Sequence, residues 1–171
     1  VYGLLHVGNF RGAIFYNFLR NWLEKIGYKV NFVYNYTDVD DRIIDKAIAE
    51  KTSAQEVAEK YIHEFQTDFQ RLGLRKHDHN PRVTEHMDSI KDIVTTLVEN
   101  KKAYVVNGEV LYSIKAFPGY GKLSNRNPDD MKAGTRIEVD GKKQDPLDFA
   151  LWKPSKPGEP AWESAWGAGR P

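Results

Sequence analysis

The sequence has no cysteine, which excludes disulfide bonds and thiol nucleophiles within its 171 residues and fits a reducing compartment. It also has no run of about 18 apolar residues and no charged-then-apolar leader ahead of Val1, so nothing reads as a membrane span or secretion signal. Charge of one sign is not in excess: 25 Lys plus Arg stand against 24 Asp plus Glu, a formal net charge of +1. No global basic surplus announces a nucleic-acid partner, although local patches can bind one without it. Internal repeats and low-complexity segments are missing as well. The expectation is a soluble, cytoplasmic globular protein with no membrane partner, long enough for one sizeable core and a small second unit.

The strongest chemical signal lies in residues 1–12, where an apolar start runs into His6-Val7-Gly8-Asn9 and then into an amphipathic helix. A helix N-terminus presents N–H donors and about half a positive charge, so it attracts anions such as phosphate. Gly8 has no Cβ to hold a phosphate off the backbone, and His6 adds a donor just ahead of the helix. An ordinary helix entry uses the same residue types, so the tetrapeptide alone does not decide between the two.

Apolar residues Ile14, Phe15, Phe18, Leu19, Trp22, Leu23 and Ile26 recur at helical spacing and predict a core-facing stripe ended by Gly27. Val30 to Tyr36 alternates like a strand, and turn, helix, strand predicts a right-handed crossover in a parallel sheet. Ligands of such sheets bind beyond the carboxyl ends of the strands, which puts Thr37 and Asp38 on one rim with His6. Asp40 and Asp41 read as helix-start residues rather than metal ligands, because the stretch lacks the further positions and Gly of a calcium loop.

Ser53-Ala54-Gln55-Glu56 is a capping box ahead of the stripe Val57, Tyr61, Ile62, Phe65, Phe69 and Leu72, which Gly73 ends. Another stripe follows from Met87 to Val98, including Ile93. His77, Asp78, His79, Glu85 and His86 lie at irregular spacing and read as solvated loop polarity. Asn107-Gly108 between two β-rich runs predicts a tight hairpin, and residues 136–143 read as a second one.

Several separate stretches, in collinear order over the whole chain, resemble one family, the class I aminoacyl-tRNA synthetases, and within it the cysteinyl branch. His6-Val7-Gly8-Asn9 is similar to that class's His-Ile-Gly-His signature, with Asn for the last His. Asn35 to Ile44 is similar to its Asn-x-Thr-Asp-x-Asp-Asp-Lys-Ile-Ile stretch, with Arg42 for the usual Lys. Asp148 to Lys153, Gly158 to Trp162 and Trp166 to Pro171 are similar to the segment leading to the second zinc-ligand region. The resemblance implies an α/β fold, an incomplete Rossmann-like nucleotide-binding parallel sheet over 1–75, an inserted mixed helix/hairpin connective unit over 76–145, and a return to the catalytic domain over 146–171.

It further implies a cysteine-tRNA ligase that activates cysteine with ATP and Mg2+ to cysteinyl-adenylate and passes it to tRNA(Cys). His6 and Asn9 would be catalytic, His6, Gly8 and Asn9 would bind ATP, and Thr37 and Asp38 would line the amino-acid pocket. The family's Zn2+ is held by ligands just before the equivalent of Val1 and after that of Pro171, and its Lys-Met-Ser-Lys-Ser loop has no counterpart here. The chain is therefore expected to be a fragment, without a metal site and inactive by itself. Two alternatives remain: a related cysteine–amino-sugar ligase of mycothiol synthesis, and a catalytically silent binding module.

Overall fold

The computed structural model describes residues 2–127 and 143–171, in two compact units, Val1–His86 and Met87–Pro171. The first holds α1 (Val7–Lys25), α2 (Asp41–Glu50), α3 (Ala54–Arg71) and a 3-10 turn at Thr84–His86. The second holds α4 (Met87–Glu99), β1 (Ala103–Val106), β2 (Glu109–Tyr112), β3 (Phe149–Pro154) and β4 (Gly169–Arg170).

The mixed α/β character is as expected, but the sheet that the described residues form lies in the second unit and is antiparallel, rather than the parallel one expected over 1–75. β1 to β4 form one sheet in sequence order, antiparallel at every pairing. Among the described residues, parallel pairing occurs only as isolated bridges, Val33 with His79 and Tyr36 with Arg82. Hydrogen bonds run from Tyr34 N to the His79 carbonyl at 3.0 Å and from Tyr36 N to the Pro81 carbonyl at 2.9 Å. For a covalent reason, the two bridges do not join into a continuous ladder. Pro81 has no N–H to return to Tyr34, and the Asn80 side-chain amide donates to the Tyr34 carbonyl instead, at 2.7 Å.

Helix α1 begins at Val7 and buries a different face from the expected one. Phe10, Ala13 and Arg20 are its buried residues, while Ile14, Phe15, Phe18, Trp22 and Ile26 are 46–64% exposed. The helix is apolar on two faces, so periodicity alone does not choose between them. Packing does: Phe10 and Ala13 join Tyr36, Ile62, Phe65 and Phe69 in one core cluster. Arg20 extends the same face by donating to both Asp78 oxygens, at 3.1 and 3.0 Å, and to the Lys76 carbonyl at 2.7 Å.

Helix α3 follows its sequence closely. Ser53 Oγ accepts from Glu56 N at 3.1 Å and Glu56 Oε2 accepts from Ser53 N at 3.0 Å, the reciprocal pair of a capping box. Its apolar stripe is buried from Val57 to Phe69, and Gly73 follows at φ +67°. Hydrogen bonds from Thr52 and Ser53 hold the Glu56 carboxyl down at about 2. Because the folded value lies below the ordinary one of about 4.3, this contribution is complete above the ordinary value and is lost as pH falls toward 2. Replacing Glu56 with Gln is expected to flatten the dependence of the urea midpoint on pH between about 5 and 2. An unchanged slope would contradict it.

In the second unit the turn between β1 and β2 has Asn107 at φ 53° and Gly108 at φ 79°, the two positive angles that the hairpin needs. The other expected hairpin, over 136–143, falls outside the described residues apart from Lys143. Helix α4 buries Met87 and Val94, but Ile93 is exposed rather than core-facing. Asp148 is 1% exposed. It accepts from Tyr104 Oη at 2.7 Å, Ile114 N at 3.0 Å and Asp145 N at 3.0 Å. Burial, together with this bond to a carboxylate, raises the Tyr104 hydroxyl above its ordinary range.

Trp152, fully buried on β3, helps explain why Gly169, paired with Pro154 on the neighbouring strand, is a glycine. A Cβ on Gly169 would stand 2.5 Å from Trp152 Nε1 and against the Lys153 carbonyl, so neither backbone nor indole leaves room. Gly169→Ala is expected to cost about 3 kcal/mol of stability in denaturant unfolding. A loss under about 0.5 kcal/mol would show that β4 can shift freely.

Candidate functional site

The His6 turn is a capping box of unusual chemistry. His6 is extended at the N-cap of α1, its Nδ1 accepts from Gly8 N at 3.1 Å, and Asn9 Oδ1 accepts from His6 N at 3.1 Å. These bonds fix both side chains. With Nδ1 accepting, the neutral imidazole carries its proton on Nε2 and presents an N–H outward. With Oδ1 engaged, the Asn9 amide keeps its Nδ2 donors for the outside. Both residues are exposed, and no acid lies in the first turn of α1 to neutralise the positive end of its dipole.

Gly8 has a second reason to be glycine beyond the one its sequence suggests. A Cβ there would lie 3.0 Å from His6 Cε1 and 3.1 Å from Nδ1, so the missing side chain lets the imidazole fold back over the turn. The Gly8 N–H is taken by that ring, and the Asn9 and Phe10 N–H groups both reach the His6 carbonyl, at 2.9 and 3.4 Å. The Gly8, Asn9 and Phe10 amides are therefore already engaged, and the two side chains join the Val7 N–H as donors available to an anion.

Thr37 and Asp38 follow the parallel bridge in the same unit. Asp38 is buried at 6% exposure between buried Tyr36 and Val39, whereas Thr37 is exposed. Asp38 accepts from Thr84 N at 3.1 Å and from Thr84 Oγ1 at 2.5 Å. Asp40 caps α2 by accepting from Arg42 N at 2.9 Å, and Asp41 is the first helical residue, as their sequence suggests. One core cluster contains Phe10, next to Asn9, and Tyr36, next to Thr37, so the His6 turn and the Thr37 turn leave the same packed core. Arg42 ties the outer ends together by donating to Tyr2 Oη at 2.6 Å, its guanidinium 5.2 Å from the ring centroid.

One family model, that of the tRNA synthetases class I (C) catalytic domain, matches residues 1–171. The chain belongs to that family. A cysteine–tRNA ligase of Bdellovibrio bacteriovorus is 60% identical over 171 residues, which is 100% of this chain and 36% of the relative. One of Aquifex aeolicus is 50% identical over 100% of this chain and 34% of the relative, and one of Desulforamulus reducens 48% identical over 99% and 35%. The chain thus spans between 34% and 36% of the length of these relatives.

The zinc that a resemblance to this class I family brings with it does not fit the residues present. The chain has no cysteine, and among the described residues no group of three or more His, Cys, Asp or Glu could hold a metal ion. No helix among the described residues is long and apolar enough to cross a membrane.

Of the residues read as solvated loop polarity, Asp78, His79, Glu85 and His86 are exposed as expected, and His77 needs correction. His77 stacks on Tyr34 at 4.6 Å with rings 9° apart and meets Phe32 edge-on at 5.0 Å. Burial, aided by the Arg20 charge, pushes its pKa down. Asp78 accepts from Phe32 N at 2.7 Å as well as from Arg20, and His86 Nδ1 lies 2.8 Å from the Arg82 carbonyl. A cavity of about 430 Å³ between α3 and residues 74–80 is lined by Tyr36, Gln66, Phe69, Lys76, His77 and Asn80, among others. None of His6, Gly8, Asn9, Thr37 and Asp38 lines it. Sequence reasoning missed Thr84 and Arg20. Arg20 left one trace, a cation at helical spacing from Phe10 and Ala13; Thr84 left none.

Proposed function

We propose that this chain is part of the catalytic region of a cytoplasmic cysteine-tRNA ligase, with 1–75 the nucleotide-binding part, 76–145 an insertion and 146–171 the return. Cysteine and ATP with Mg2+ are the substrates of the first step. The cysteine carboxylate oxygen bonds to the α-phosphorus, the bond to the bridging oxygen breaks, and cysteinyl-adenylate and pyrophosphate result. The cysteinyl group then passes to the terminal adenosine of tRNA(Cys), releasing AMP.

In this reading His6 Nε2–H and Asn9 Nδ2 donate to phosphate oxygens as negative charge gathers on them, and the end of α1 adds its dipole. Gly8 acts by leaving room for the imidazole. Asn9 cannot become cationic, so its share is a neutral hydrogen bond. Thr37 faces the amino acid. The observation that carries the reading is the capping box itself, because it directs a fixed donor outward at a helix end that holds no acid.

ATP–pyrophosphate exchange by the full-length protein tests it. Exchange is expected to rise with cysteine and not with serine. Absence of cysteine-dependent exchange would overturn the reading and leave a silent binding module.

A further inference from the structure

The stretch from Tyr36 to Val39 is buried at three of its four positions, and Thr37 alone is exposed. It is tied on both flanks to one segment. Before Thr37, Tyr36 N donates to the Pro81 carbonyl at 2.9 Å. After it, both Asp38 oxygens are engaged by Thr84, one by the backbone N–H at 3.1 Å and one by the hydroxyl at 2.5 Å. A buried carboxylate with both oxygens so engaged cannot turn toward a substrate ammonium without breaking charge-assisted bonds that are about twice as strong as neutral ones. Asp38 therefore holds its neighbour rather than the ligand.

We propose that Asp38 is a positioning residue and Thr84 its partner. Together they fix the backbone that displays Thr37, and so set affinity for the amino acid. The proposal rests on the reading of Thr37 as part of the cysteine pocket. Thr84 lies just before the boundary at His86, where the chain leaves the first unit, so the same hydroxyl anchors the exit of that unit to the pocket rim.

Thr84→Val keeps the side-chain shape and removes the hydroxyl; Thr84→Ser keeps the hydroxyl. In full-length protein Thr84→Val is expected to raise KM for cysteine about 10-fold, with kcat and KM for ATP within about twofold, and Thr84→Ser to restore the wild-type value. Amide hydrogen exchange at Thr37 to Val39 should quicken in Thr84→Val while Tyr61 and Ile62 on α3 stay protected. An unchanged KM for cysteine, a parallel rise of both KM values with a lower Tm, or failure of Thr84→Ser to rescue would overturn the proposal. If the wild-type protein shows no cysteine-dependent exchange, the functional reading and the claim about amino-acid affinity fall together. Amide exchange still decides separately whether Thr84 pins the turn: unchanged protection in Thr84→Val would overturn that too.

Discussion

His6→Ala in the full-length protein is expected to slow adenylate formation by about 100- to 1000-fold, the loss that follows removal of one preorganised donor. Binding of ATP and cysteine should change far less, because the bond strengthens only as charge develops on the phosphoryl oxygens. The geometry adds a complication and its own control. His6 also caps α1 through Nδ1, so Ala removes a helix cap worth about 1 kcal/mol together with the donor. His6→Ser separates the two roles, since a serine N-cap accepts from the first-turn N–H but has nothing at the place of Nε2. Stability should return with Ser while the single-turnover rate stays low. Recovery of the rate with Ser would reduce His6 to a capping residue.

Asp148→Ala is expected to cost about 4 kcal/mol of stability, the largest structural effect in the second unit. It leaves Ile114 N and Asp145 N without their acceptor in the interior and strands the Tyr104 hydroxyl, which must still accept from Gln144 N at 2.8 Å. Asp148→Asn keeps an acceptor oxygen of the same size and should cost about half as much. Urea unfolding followed by tryptophan fluorescence reads both, with Trp152 and Trp166 packed 5.9 Å apart in the same unit. A loss below about 1 kcal/mol for Ala would mean that water replaces the carboxylate at little cost.

The features legible in the sequence are those settled by neighbours a few residues apart. The Ser53–Glu56 box, the Asn107-Gly108 turn and the Asp40 cap of α2 depend on local geometry, and each stands where its residues say. Thr84 reaches Asp38 across 46 residues and Arg20 reaches Asp78 across 58; no spacing rule connects such pairs before the chain has folded. The face of α1 was hidden for another reason. Phe10 and Ala13 lie on one apolar side and Ile14, Phe18 and Trp22 on another, and burial is decided by the aromatic side chains of α3 and Tyr36 rather than by the helix. In the candidate site, residue types pointed to His6, Gly8 and Asn9, but not to the capping bonds that choose which atom of each faces outward.

The most direct measurement is charging of tRNA(Cys) with labelled cysteine by the full-length protein. The expected result is cysteine-dependent formation of cysteinyl-tRNA(Cys), slowed in His6→Ala along with adenylate formation. Adenylate formation without charging, with transfer of the cysteinyl group to an amino sugar instead, would contradict it.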